Sequence, residues 1–223
     1  MDILETATTE DFVRTAVQWI GSAIRTAAKD GGSPIIGLSG GSTPQPIYAS
    51  LAAETSIPWE RVTFFLLDER YVPMDDKDSN TRMIRSTLLT RAATAAALLV
   101  PDTSLPIPAC IVAYQNALEP VSKPDLLILG MGPDGHIASL FPPLEPNAFG
   151  PKNVIHTTTD RFAVRDRISV TLPVLESAEK CLFLITGKEK RALLEKMQNG
   201  NQDVSLYPAS VLLHQKTTWI VGT

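Results

Sequence analysis

The chain has 223 residues, 44% of them apolar and 20% charged, with a formal net charge of −4. That length and balance suit one well-buried domain spanning residues 1–223, and they argue against a disordered chain. No extended Lys/Arg block is present, which excludes an electrostatic footprint for nucleic acid, so a bound anion is expected to be small and locally held.

The first residues, Met1 to Thr6, lack the basic region and apolar stretch of a signal peptide, and no later segment reaches about 18 uninterrupted apolar residues. A cytoplasmic protein with no membrane partner is expected. Cys110 and Cys181 lie far apart beside apolar residues, without Cys-x-x-Cys or Cys/His ligand spacing. They read as buried free thiols in a reducing compartment rather than as a disulfide or a metal site.

In chain order, residues 10–29 place Val13, Val17, Ile20 and Ile24 at helical spacing, with Gly31-Gly32 as a stop. A strand follows at Pro34–Leu38, then a polar turn from Ser39 to Pro44. Thr43 is the expected N-cap of the next helix, with Pro44 at its first position and Ile47 and Leu51 on its buried face. Val62–Leu67 reads as a strand covered on both faces, closing in Asp68-Glu69-Arg70. A charged loop over 75–79 leads to a helix over 80–91. The alanine-rich stretch from Arg91 to Leu99 is compatible with further helix.

Pro101, Pro106 and Pro108 break the pattern before a helix over 109–118. Leu126–Leu129 has the length and branching of a buried strand, and the prolines between 142 and 151 leave no regular element. Ile168–Thr171 and Cys181–Thr186 read as strands, 187–197 as a helix stopped by Asn199-Gly200, and Thr218–Val221 as the last strand. Strands alternating with helices at this spacing predict a single-domain α/β fold, a Rossmann-like, doubly wound, mostly parallel sheet flanked by helices.

Such sheets bind ligands beyond the carboxyl ends of their strands. Two glycine loops fall there. Gly130-Met-Gly132-Pro-Asp134-Gly135 satisfies the G-x-G-x-x-G pattern, but Pro142-Pro143 cuts short the long helix a dinucleotide needs, and no strand ending in Asp or Glu stands at the required distance. Gly37-Leu-Ser39-Gly40-Gly41 satisfies the G-x-S-x-G pattern of a nucleophile elbow, yet Gly41, Ser42 and Pro44 delay the helix by several residues. A loop of that length turns successive backbone N–H groups, two hydroxyls and a helix amino terminus into one concavity, which suits a phosphate better than an acyl ester.

A lone histidine is usually structural. His136 is set apart by the three glycines before it, by Asp134 two residues before it and by Ser139 three after it, a setting for proton transfer near neutral pH. His156 and His214 read as solvated or packed, and no second ligand beside His136 makes a metal set. The cations Arg70, Arg165, Arg167 and Lys190 fall at element ends, where a parallel sheet can gather several into one crevice, and arginine suits bidentate phosphate binding.

Together the segments Gly37–Pro44, Asp68–Arg70, Ser79-Asn80, Gly130–Pro142, Arg167–Thr171, Gly187–Lys190 and Tyr207–Ala209 resemble the 6-phosphogluconolactonase family, in the family's order over about four-fifths of the chain. Gly135-His-Ile-Ala-Ser-Leu-Phe-Pro142 is the most specific element. The related glucosamine-6-phosphate deaminases typically continue the Gly-His loop with Phe-Asn-Glu-Pro and have a tyrosine after Asp-Glu, where this chain has Ser139-Leu-Phe-Pro142 and Arg70. One departure from the lactonases is Trp219-Ile-Val-Gly222 in place of a usual Trp-Leu-Leu-Asp, which bears on terminal packing.

The resemblance implies hydrolysis of 6-phospho-D-glucono-1,5-lactone, without metal or redox cofactor, by a monomer whose partner is the phosphosugar lactone. It implies a phosphate held among Ser39, Gly40, Gly41, Ser42, Thr43, Arg70, Arg167 and Lys190, with Asp68 and Gly132 also at the substrate. His136 would act as general base on water, with Asp134 orienting the loop or the imidazole. A sugar-phosphate-binding regulatory module without turnover, and a deaminase-like enzyme, are the alternatives.

Overall fold

The computed structural model describes residues 1–121, 123–200, 202–214 and 216–223. Its elements are β1 (Asp2–Glu5), α1 (Thr9–Ala27), β2 (Ile35–Leu38), α2 (Gln45–Leu51), β3 (Thr63–Leu66), β4 (Asp68–Arg70), α3 (Asn80–Thr87) and β5 (Ala97–Leu99). There follow α4 (Ile107–Ala117), β6 (Leu126–Leu129), β7 (Val154–Thr158), β8 (Asp166–Val170), α5 (Leu172–Glu176), β9 (Cys181–Thr186), α6 (Lys188–Gln198) and β10 (Thr217–Gly222).

Seven strands form one sheet in the order β1-β10-β9-β6-β2-β3-β5, and every neighbouring pair in it is parallel. The apolar run of β6 explains why a parallel sheet shows no polar alternation. Leu126 and Ile128 pack with Ile36, Leu38, Phe64 and Leu66 beneath α1, α2 and α3, whereas Leu127 and Leu129 pack with Phe65 and Phe183 beneath α4, α5 and α6. Both faces are covered, as parallel sheets require.

On α1 the buried stripe is Phe12, Ala16, Ile20 and Ile24, and Val13 and Val17 lie half-buried at its edge. Thr8 caps this helix, its hydroxyl accepting from the Asp11 N–H at 3.1 Å. Cys110 and Cys181 are free and buried. Burial pushes their thiols up to about 11 and about 12.

Several sequence expectations change. Pro44, not Thr43, occupies the N-cap of α2, and no side chain caps that helix. The alanine-rich stretch forms a short 3₁₀ turn over Arg91–Ala95 and then β5, whose ladder to β3 outweighs the helix propensity of alanine. Helix α3 ends at Thr87, short of Arg91. The strand at 168–171 is β8, and it leaves the parallel sheet for a second, antiparallel sheet of order β4-β8-β7.

From β2 the chain steps one way through β3 to β5, then returns to the other side of β2 as β6 and continues outward to β9 and β10. The winding reverses between β2 and β6, so a crevice opens beyond their carboxyl ends. Among the described residues no helix is long and apolar enough to cross a membrane. At the other end of the sheet β10 is buried throughout, with Trp219 stacked on Phe183 at 3.8 Å between ring centroids, so the unusual terminal sequence is fully packed.

Candidate active site

Strand β2 delivers the Ser39–Pro44 loop to one side of the crevice. Its start is fixed by the Ser39 N–H, which donates to the Ile128 carbonyl at 3.0 Å, and by the Tyr48 hydroxyl, which donates to the Ser39 carbonyl at 2.9 Å. Gly41 has φ +100°, a backbone conformation that side chains disfavour. At Gly40 a Cβ would sit 1.9 Å from Asn80 Oδ1. Asn80 in turn donates through Nδ2 to the Asp68 carbonyl at 2.9 Å, so the glycine lets the loop lie directly on the residues after β3.

The chain changes sheets at Leu67. Its N–H donates to Leu38 in the parallel sheet and its carbonyl accepts from Val170 of the second sheet, both at 2.9 Å. In the β4–β8 register Asp68 opposes Ser169 and Arg70 opposes Arg167. Residues two apart on a strand share a face, so Asp68 and Arg70 both turn to the crevice. Asp68 is buried and accepts from the Ser139 hydroxyl at 2.6 Å.

Glu69, between them, faces the other way and is buried. Its carboxylate accepts from the N–H groups of Arg70, Asn80 and Thr81 at 2.7 Å each, from the Thr81 hydroxyl at 2.7 Å and from the Ser79 hydroxyl at 3.1 Å. It therefore satisfies the first turn of α3, although burial still raises its pKa.

Strand β6 delivers the second loop. The Gly132 N–H donates to the His136 carbonyl at 2.9 Å, and Gly135 turns the chain at φ +84°. This folds Asp134 back on His136, with Oδ1 2.6 Å from Nδ1. Gly132 is required by packing, since a Cβ there would lie 2.0 Å from His136 Nδ1.

The imidazole packs against Phe141, 4.8 Å between centroids, and meets the edge of Phe162 at 5.8 Å. Burial pushes its pKa down to about 4; Asp68 opposes that shift, and Arg167 and Lys190 add to it. His136 is accordingly neutral at pH 7. With Nδ1–H engaged on a carboxylate, Nε2 is left with the free lone pair.

Both rival motif readings fail on local geometry. No helix opens after Gly135, where Ile137 and Leu140 form an isolated bridge instead, so the dinucleotide requirement is unmet. Helix α2 starts only at Gln45, and the Ser39 hydroxyl is buried without a hydrogen-bond partner among the described residues, so none of them acts as a base on it.

The Ser39–Thr43 loop, the Asp68/Arg70 face, Gly132, His136, Arg167 and Lys190 line one cavity of about 260 Å³. Asp134 stands behind His136. Arg167 is 5% exposed, and burial lowers its pKa as it lowers that of Lys190. The buried Ser39 Oγ and Arg70 Nε have no partner among the described residues, two donors presented to whatever fills the cavity. Among the described residues no three His, Cys, Asp or Glu side chains stand together as a metal site.

Sequence reasoning did not single out Asn80, Phe141, Phe162 or Arg161 as site residues. Asn80 and Phe141 fall within the stretches that carry the family resemblance. Phe162 and Arg161 lie in the turn between β7 and β8, where only the antiparallel pairing reveals their position.

An open parallel sheet with a cationic crevice at its switch point places the chain in the class of α/β proteins that take a small anionic ligand there. Within that class it belongs to the family of glucosamine-6-phosphate isomerases/6-phosphogluconolactonase, which residues 7–220 match. It is 36% identical to a Dictyostelium discoideum protein named "Probable 6-phosphogluconolactonase", with 94% of this chain and 92% of that one covered. A 6-phosphogluconolactonase from Thermotoga maritima is 41% identical over 83% of this chain and 82% of its own. The crystal structure of 6-phosphogluconolactonase from Thermotoga maritima superposes with a TM-score of 0.87 at 31% identity, covering 100% of both chains.

Proposed function

We propose that this chain hydrolyses 6-phospho-D-glucono-1,5-lactone to 6-phospho-D-gluconate, the lactonase step of the oxidative pentose phosphate pathway. It does so as a cytoplasmic, single-domain monomer without a cofactor. The names of the relatives support the substrate. The single observation that carries the chemistry is the part-buried His136 imidazole held on Asp134 at 2.6 Å at the wall of a cationic cavity.

In this reading the substrate phosphate lies against the Ser39–Thr43 loop and against Arg70, Arg167 and Lys190, all of which line the cavity. That contact fixes the lactone carbonyl near His136. Nε2 accepts a proton from water as the oxygen attacks C1, while Asp134 stabilises the imidazolium that forms and so offsets the low basicity that burial imposes. The imidazolium then protonates the departing ring oxygen. Loop N–H groups or an arginine stabilise the oxyanion. Asp68, fixed by Asn80 and Ser139, holds Arg167 and His136 in a balanced field.

The test is acid release from freshly prepared lactone against the spontaneous rate. Acceleration supports the lactonase. Stabilisation by 6-phosphogluconate without acceleration points to a binding module. Ammonia release from glucosamine-6-phosphate at a comparable rate would assign the chain to the deaminase side of its family.

A further inference from the structure

The turn between β7 and β8 reaches back across the site. The Arg161 N–H is held by the Thr159 hydroxyl at 3.1 Å. Its guanidinium contacts Asp134 Oδ2 through Nη1 and reaches the Pro142 carbonyl through Nη2 at 3.4 Å. The next residue, Phe162, meets the His136 ring and lies 5.6 Å from the Arg167 guanidinium carbon, which anchors the turn over the cavity. The two oxygens of Asp134 are thus divided, Oδ1 to the imidazole and Oδ2 to Arg161. Arg161 itself does not line the cavity.

We infer that Arg161 is a positioning residue: by holding Asp134 Oδ2 it fixes Oδ1 on His136 Nδ1 and keeps the imidazole in the tautomer that presents Nε2 to the cavity. The inference rests on the lactonase reading for its kinetic consequences, but not for the geometry itself. A carboxylate on a flexible Asp side chain can rotate about its terminal torsion. A second, charge-assisted contact on the far oxygen removes that freedom. The pair is half-exposed on the arginine side, so its contribution is directional more than stabilising.

Charge makes the role distinguishable from mere packing. His136 is faced by Asp68 from β4, Arg167 from β8, Lys190 from α6 and Asp134 from its own loop, with Arg161 behind Asp134. Arg161 draws on the negative charge that Nδ1 feels. Removing it leaves that charge undivided and favours the protonated ring.

The experiment compares Arg161→Ala, Arg161→Lys and Asp134→Asn by kinetics and by ¹⁵N NMR titration of the His136 imidazole in the free protein. Arg161→Ala is expected to lower kcat on the order of tenfold, as a small misplacement of a reacting group does, with KM unchanged. It should also raise the His136 titration midpoint. Arg161→Lys restores part of both, and Arg161→Ala adds nothing in an Asp134→Asn background. A raised KM at constant kcat would overturn the inference by making Arg161 a substrate cation, and an unmoved His136 titration in a folded Arg161→Ala protein would overturn it whatever the activity. Absence of wild-type turnover alongside the expected NMR shift would remove the lactonase reading and leave the positioning role standing.

Discussion

Arg70 and Arg167 stand directly opposite each other across the β4–β8 pair, two guanidinium side chains at one register position beside Asp68. Like charges so placed are destabilising, and one buried carboxylate only partly offsets them. On the proposed reading a phosphate dianion in the cavity relieves the repulsion, and this pair, with Lys190, reads the substrate's charged end. Arg167→Ala and Lys190→Ala should each raise KM for the phosphorylated lactone by about 10- to 100-fold, the worth of one charge-assisted hydrogen bond. The change on unphosphorylated gluconolactone should be much smaller. Equal losses on both substrates would mean that these cations act at the carbonyl.

Ser39 offers a test of nucleophile against cradle. Its hydroxyl is buried without a partner among the described residues, so Ser39→Ala should leave stability nearly unchanged and weaken substrate binding by about 1 to 2 kcal/mol. Rapid-quench mass spectrometry is expected to find no adduct on Ser39. A trapped acyl-enzyme there would remove direct water attack from the mechanism.

Glu69 is the structural counterpart of its neighbours in Asp68-Glu69-Arg70. Replacing it with Gln puts an NH₂ group among donors that all point at its carboxylate, leaving at least one buried N–H or hydroxyl unsatisfied. Glu69→Gln should therefore cost about 1 to 3 kcal/mol in denaturant unfolding. Unchanged stability would show that the first turn of α3 finds other partners.

The fold was legible where periodicity and punctuation agree: α1, the β6 run and the glycine stop after α6 follow from residue spacing alone. β1 was missed because its four residues are exposed and carry no apolar alternation, and α5 because five residues give too little helical period. β7 was missed because its prolines lie just before it and its carboxyl half is polar. The departure of β8 from the main sheet has no local signal, since Ile168 and Val170 would suit either sheet. At the site, the two glycine loops, Asp68, Arg70, Arg167 and Lys190 line the cavity and Asp134 touches His136, whereas Arg165, also singled out at an element end, points away to an exposed pair with Asp160. What the sequence concealed was the link from Arg161 to Asp134, which joins two turns far apart in the chain.

His136 also couples stability to pH. Its folded-state pKa of about 4 lies below the ordinary 6.5, so the unfolded chain binds the proton first as pH falls. The contribution is fully present above pH 6.5 and is lost between 6.5 and 4, by about 3 kcal/mol at most. His136→Asn should flatten the stability profile in that window, read by thermal or urea unfolding. An equally steep decline in the variant would place the coupling elsewhere.

The most direct test of the account is the pH dependence of kcat/KM, corrected for spontaneous lactone opening, in wild type and His136→Ala. From sequence alone the acid limb is expected within about a unit of 6.5, but the buried ring between Phe141 and Phe162, with Arg167 and Lys190 nearby, moves it to about 4. The account predicts a wild-type rate that holds down to that region and then falls. His136→Ala should lose roughly 10² to 10⁴ in rate together with the acid limb, yet still be stabilised by 6-phosphogluconate. A folded His136→Ala protein with the wild-type rate and an unchanged acid limb would contradict it.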